Sequence, residues 1–359
     1  MNRNRLVVGC MSGTSMDGID AALVRIAGSG LSMRAELIRG ASVPLDDADT
    51  LRAFAGGAAL SARQIRSLAL GMGEQHRDLV ANVLGDVTPD LIVVHGQTVL
   101  HEPPLSWQVV DPWPLAVSMA CPVVSDLRSR SIASGGEGAP LTPLADWVMF
   151  RDTERPRAVV NLGGFANLTH LPAGHGDSAT AVQRITGGDV CPCNIVLDRL
   201  ARSRLGTPFD DTGREASSGT VSHEASREIV RGLGRPSGTS LGTRDEAAWI
   251  DDELASLRTP AALATACDAI GQVIAGQIPS DASVVVAGGG AKNQALVRAI
   301  GVHHGSQPML SDNFGVPVQF REAMGFAVLG SLAQDGESVS LPRITGPTTA
   351  GRDGQWILA

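Results

Sequence analysis

The sequence predicts a two-lobed α/β fold around a central cleft, and three observations predict it. With 359 residues, 43 % of them apolar, the chain is too long for one compact core and suits two lobes. Its halves open alike, each with an apolar run, a small polar turn bearing glycines, and a second apolar run. Around those hairpins, helical spacing alternates with short buried-strand patterns, the arrangement that gives α/β layers.

In chain order, Arg5 to Met11 reads as a strand, Ser12 to Gly18 as its turn and Ile19 to Ile26 as the returning strand. Ser61 to Leu84 has helical spacing, while Asp90 to Val94 and Pro122 to Ser125 read as buried strands. Pro103, Pro104, Pro112 and Pro114 mark loops. Ala158 to Val160 runs into a second turn, Asn161 to Asn167, whose tip is nearly bare backbone, and Leu168 to Leu171 leaves it. Pro260 to Ile278 reads as a helix, Ser283 to Ala287 as a strand and Asn293 to Ile300 as a helix. Gly288-Gly289-Gly290 joins the last two without a side chain. The lobe boundary is expected near Leu141 to Arg157, giving a first lobe of 1–145 plus about 335–359 and a second of 146–334, with a last helix from Glu322 to Ala333.

Composition excludes several functions. The net charge is -8, and Lys292 is the sole lysine, so no basic stripe exists to track a nucleic acid backbone. Five cysteines, an odd number at irregular spacing, suit reduced thiols better than a disulfide framework. Cys191-Pro192-Cys193 lacks the further ligands of a zinc site and reads as two small buried side chains. The apolar stretch before Cys10 is shorter than the about 7–15 residues a secretory signal needs. No run approaches the roughly 20 residues that span a bilayer. A soluble, cytoplasmic protein without a membrane partner is expected.

The glycine turns suggest phosphate. Where side chains are absent, backbone N–H groups can approach phosphate oxygens, and Thr14 and Ser15 add hydroxyl donors with little bulk. Asp17 and Asp20 in the first turn would repel phosphate unless a divalent cation lay between, and magnesium held by one or two carboxylates and water fits. Neither GxxxxGK[ST] nor, after the first strand, GxGxxG occurs, so a nucleotide would have to be held by hairpins. His303 and His304, beyond a helix and without a partner motif, are expected to be solvated.

GCMSGTSMDGID (Gly9 to Asp20) resembles the phosphate-binding signature of the anhydro-N-acetylmuramic acid kinases, members of the actin, hexokinase and Hsp70 superfamily with its ribonuclease H-like lobes. The resemblance continues through HGQT (His95 to Thr98), SDLR (Ser125 to Arg128), GGEGAPLTP (Gly135 to Pro143), NLGGFANLT (Asn161 to Thr169), GGGAKN (Gly288 to Asn293), REAMGFAVLG (Arg321 to Gly330) and ITG (Ile344 to Gly346). Ordered motifs over essentially the whole chain are far more specific than one.

The resemblance implies ATP and Mg2+ as cofactors. It places the nucleotide on Gly13, Thr14, Ser15, Met16, Asp17, Gly18, Ile19, Asp20, Gly163, Gly164, Gly288, Gly289 and Gly290, with Asp17 the metal-ligand candidate. It implies a small sugar substrate met by His95, Gln97, Thr98, Arg128 and Glu322, and a homodimer. The reaction it implies opens a 1,6-anhydro bridge with water while O6 takes the γ-phosphoryl group of ATP, and Asp189 is the candidate base. Each residue also has a plainer role: Asp189 could cap a helix begun by Asn194, Glu322 could face a helix dipole, and Arg128 could be a surface cation. Where the family reads DTGPGN, this chain has Asp189-Val190-Cys191-Pro192-Cys193-Asn194, with cysteines in place of two glycines. Cysteine takes positive φ poorly, which motivates a second reading as a weakly catalytic nucleotide or sugar sensor. A kinase for another anhydro sugar and a glycoside hydrolase using Asp189 and Glu322 are further rivals.

Overall fold

The computed structural model describes residues 4–13, 16–177, 179–233, 247–346 and 351–358. Its strands are β1 (Asn4–Ser12), β2 (Gly18–Ala27), β3 (Arg34–Pro44), β4 (Leu91–His95), β5 (Gln97–Glu102), β6 (Leu105–Val109), β7 (Val123–Ser125), β8 (Arg157–Leu162), β9 (Phe165–Leu171), β10 (Thr186–Pro192), β11 (Ser283–Ala287), β12 (Met309–Leu310) and β13 (Gln355–Ile357). The chain divides into two compact units. One comprises Met1–Arg151, Gly174–Ile185 and Gly315–Ala359, the other Asp152–Ala173 and Thr186–Phe314.

The first unit is built on a sheet of order β13-β7-β4-β1-β2-β3. β1 to β3 form an antiparallel meander, and β4 and β7 run parallel to β1. Every residue of β4 is buried, as expected for a central parallel strand covered on both faces. The helix Ala62–Leu84 lays Leu68, Met72, His76, Leu79 and Val83 into the core, a stripe at helical spacing. Its start is fixed by a capping box in which Ser61 and Gln64 satisfy each other's backbone N–H groups. The helix Arg321–Asp335 is buried along nearly its whole length and packs on β1, β2 and β4. Gly9 permits this, because a Cβ there would lie 2.0 Å from the Ala323 carbonyl oxygen. The Pro103 and Pro104 loop proves to be the turn of a β5–β6 hairpin.

The second unit repeats the plan with the order β10-β9-β8-β11-β12. β8 to β10 form the meander, and β11 and β12 run parallel to β8. Each unit thus carries the ribonuclease H-like order, three antiparallel strands followed by parallel strands on the far side of the first. The helix Thr259–Ala275 is buried along most of its length and packs on β10 and on the helices Asn194–Leu205, Arg214–Ser218, His223–Leu233 and Gln294–His304. Among the described residues no helix is long and apolar enough to cross a membrane.

The second hairpin differs from expectation. The turn is only Gly163-Gly164, and Asn161 and Asn167 lie opposite each other on β8 and β9. Neither glycine has positive φ, so the turn does not use the left-handed backbone that glycine allows. His303 is exposed and His304 partly so, in line with the solvated reading, yet both find partners. They end the helix Gln294–His304, where His303 Nε2 lies 2.8 Å from Asp268 Oδ1 and His304 bonds Ser306 Oγ and the Pro279 carbonyl.

Candidate functional site

In the first unit, the parallel strands β1, β4 and β7 end on one edge of the sheet, where open α/β sheets carry their ligand loops. The hairpin tip follows β1, His95 ends β4, Gln97 follows two residues later, and Arg128 lies just beyond β7. Thr14 and Ser15 lie outside the described residues. The rest of the tip is fastened by backbone. Met16 N–H donates to the Gly13 carbonyl, Leu45 N–H to that of Asp17, and Arg52 Nη2 to that of Met16.

Met16 and Ile19 bury their side chains in the core, so only their backbone could face a phosphate. A Cβ on Gly18 would lie 2.8 Å from the Val43 carbonyl oxygen, which gives that glycine a packing role. Asp20 accepts a hydrogen bond from Ser42 Oγ, itself bonded by Gln319 Nε2 at 2.7 Å. Asp17 is exposed at the tip. Among the described residues no group of three or more His, Cys, Asp or Glu is placed to hold a metal ion. Magnesium commonly takes one or two carboxylates and completes its shell with phosphate oxygens and water, and the exposed Asp17 fits that mode.

Arg128 and His95 are brought together. Arg128 Nη1 donates to the Gly138 carbonyl at 2.8 Å and Nη2 to His95 Nε2 at 3.3 Å, while the His95 ring stacks on Phe326 at 4.5 Å. Burial lowers the Arg128 pKa to about 10, with Asp126 and Glu322 pulling it back up, so the guanidinium stays charged at neutral pH. Burial first, and the Arg128 charge second, push His95 well below 6.5 and His101 to about 4. The arginine is therefore a cation among neutral imidazoles, with its Nε buried and unsatisfied. Glu322 occupies the first turn of the helix Arg321–Asp335. Thr98 is half-buried on β5, whereas Gln97 is fully buried and its amide is engaged by Ser12 Oγ at 2.6 Å and by the Thr98 carbonyl at 3.2 Å.

In the second unit, the glycine turns follow β8 and β11, again on the edge where parallel strands end. Gly163 and Gly164 offer carbonyls to the N–H groups of Asn194, Cys193 and Ile195, so the hairpin tip caps the helix Asn194–Leu205. Gly288 has φ +80°, and a Cβ on Gly290 would lie 2.7 Å from Asn194 Oδ1. Gly289 is open, its nearest neighbour being Asn194 Nδ2 at 3.8 Å, and there the backbone is approachable. Asn194 Nδ2 also donates to the Leu162 carbonyl at 3.0 Å, tying the two turns together.

Asp189 lies on β10 directly opposite Asn167, whose Nδ2 donates to its Oδ1. It is not a helix cap, since Cys193 occupies that position without a side-chain hydrogen bond. Cys193 has φ −129° and Cys191 is not among the residues with positive φ, so neither takes the left-handed backbone that favours glycine. All five cysteines are buried and free, and burial raises Cys191 to about 12. Asp198, one turn into the helix, is raised to about 6 by burial.

Asn167 and Asn194 are the residues that sequence reasoning passed over. Their signal was available in NLGGFAN and in the asparagine retained after Cys193, polar residues where strand and helix propensity favour others.

A family model described as anhydro-N-acetylmuramic acid kinase matches residues 5–356. The protein of that name from Bordetella petrii is 36 % identical over 371 residues, covering 95 % of this chain and 93 % of that protein. Its counterpart from Salinibacter ruber is 34 % identical over 376 residues, with the same coverage. The Xanthomonas axonopodis counterpart is 32 % identical over 363 residues and covers 95 % of each. With both ribonuclease H-like units inside the matched span, the chain belongs to the anhydro-N-acetylmuramic acid kinase family.

Proposed function

We propose that the chain is an ATP-dependent kinase that opens 1,6-anhydro-N-acetylmuramic acid with water and phosphorylates O6, giving N-acetylmuramic acid 6-phosphate and ADP. Water is a poor nucleophile at neutral pH, so its attack on the anomeric carbon calls for a positioned base. Asp189 takes the proton, the C1–O6 bond breaks, and O6 receives the γ-phosphoryl group. Coupling the two events spares the enzyme a separate protonation of O6.

Other residues bind and orient. The charged, half-buried Arg128 suits the sugar's lactyl carboxylate, which arginine grips with two parallel N–H bonds. Glu322 and Thr98 suit sugar hydroxyls, and His95 supports Arg128. The hairpin Gly13 to Asp20, Gly163-Gly164 and Gly288 to Gly290 suit nucleotide phosphates through backbone N–H groups. Magnesium, when bound, neutralises phosphate charge beside Asp17. The enzyme works in the cytoplasm on a small sugar and pairs as a homodimer.

One observation carries the catalytic assignment. Asp189 is held by an amide across the strand from it, in the unit that also presents the open Gly289 turn. Neither cysteine takes the positive φ that glycine would be needed for, so the backbone lends the sensor reading no support. Product identification with ATP, magnesium and several anhydro sugars tests the proposal. Sugar-dependent ADP with an equal yield of 6-phosphorylated muramic acid is expected, and sugar turnover without ATP would contradict it.

A further inference from the structure

We infer that Asn167 is a positioning residue: its side-chain amide fixes the plane of the Asp189 carboxylate and favours its ionised state. The inference rests on the reading of Asp189 as the base. Asn161, Asn167 and Asp189 are direct partners across β8, β9 and β10, a row of three polar side chains on one face of the sheet. Asparagine is disfavoured in strands, so two facing one another run against local propensity, and such conflicts concentrate where function demands them.

The contact has a defined polarity. An ionised carboxylate only accepts hydrogen bonds, so the amide must present Nδ2 to it, as it does toward Oδ1. Donation to the charged form stabilises that form, and a base must be ionised to take a proton from water. The register shifts immediately after Asp189, between it and Cys191, which leaves Val190 as the extra residue of a bulge. A bulge bends its strand and re-aims side chains. Asp189 is therefore the last residue of β10 in regular register on this side, and the amide supplies the orientation that the ladder beyond it no longer does.

The sign of the pH effect follows. Without the amide the carboxylate's pKa rises, and the acid limb of kcat moves to higher pH. An aspartate at 167 adds a like charge and moves it further.

The test is steady-state kinetics from pH 5 to 9 on full-length wild type, Asn167→Ala, Asn167→Asp and Asp189→Asn, with ATP, magnesium and 1,6-anhydro-N-acetylmuramic acid. ADP affinity serves as the folding control. For Asn167→Ala we expect kcat about 10–100-fold lower, sugar KM within about threefold, and the limb about one pH unit higher, a fraction of the full general-base contribution. Asn167→Asp, nearly isosteric, shifts the limb further and regains rate as pH rises. An unmoved limb, or an equal loss at every pH, overturns the inference. If Asp189→Asn is inactive while the Asn167 variants match wild type, positioning alone fails; if Asp189→Asn stays near normal, the base assignment fails and takes this inference with it.

Discussion

Arg128 donates a hydrogen bond to His95 Nε2 at 3.3 Å, and the contact settles the state of a buried imidazole. A guanidinium has donors and no acceptor, so Nε2 carries no proton and the neutral ring holds its hydrogen on Nδ1. Stacked on Phe326, the ring in turn holds one arm of the arginine fork. His95→Leu keeps the bulk but strands a buried donor, a loss of about 1–3 kcal/mol. On the proposed reading the sugar KM rises by roughly tenfold, within that range, with ADP affinity unchanged. An unchanged KM would detach His95 from sugar binding.

A second expectation concerns pH and stability. His76 is fully buried, its Nδ1 2.7 Å from the Met72 carbonyl oxygen, and burial lowers its pKa from 6.5 to about 4. Because the folded value lies below the unfolded one, its contribution is complete above pH 6.5 and is lost as pH falls toward 4. The amount is about 3 kcal/mol. Urea unfolding at pH 7, 5.5 and 4.5 should show a steeper decline for wild type than for His76→Leu. Equal slopes would show that this histidine does not titrate with unfolding.

The ion pair between Arg321 and Asp146 is almost wholly out of water, at 3 % and 0 % side-chain exposure, with Nη2 to Oδ2 at 2.5 Å. It pins the start of the helix Arg321–Asp335 to the helix Thr142–Phe150, and Glu322 is the next residue. Asp146→Ala leaves a buried guanidinium uncompensated, so stability should drop by about 3–5 kcal/mol. A chemical-denaturation midpoint close to wild type would contradict this.

The cysteines should be quiet. Burial pushes the thiols of Cys10, Cys191 and Cys267 to about 12 and that of Cys121 to about 11, and a thiol rather than a thiolate is a poor nucleophile. An aromatic disulfide reagent at pH 8 should leave native protein unmodified for minutes and titrate all five thiols after denaturation. Cys193→Gly, which restores the family's residue, should keep kcat within about twofold, since Cys193 does not take the positive φ that favours glycine. Fast labelling of the native protein would show that the helix start opens.

Both hairpins, the glycine turn after β11 and the helix Ala62–Leu84 were legible because apolar period and turn chemistry are local. What escaped depends on register and on distant partners. Asn161 and Asn167 looked like turn residues, for polarity in a strand resembles a loop until the opposite strand is known. His303 is exposed as expected, but its partner escaped because Asp268 lies 35 residues away on another helix. Gln97 read as a contact for sugar, and only the arrival of Ser12 at 2.6 Å shows how its amide is engaged. Gly288 and Gly290 read as phosphate cradle, yet close approach to Asn161 and Asn194 already requires them to be glycine.

The most direct test of the account is the single-turnover rate of Asp189→Asn with saturating ATP, magnesium and anhydro sugar. Loss of a general base predicts a rate lower by roughly 10²–10⁴-fold with nucleotide affinity intact. A rate within a few-fold of wild type would contradict the assignment of proton abstraction to Asp189.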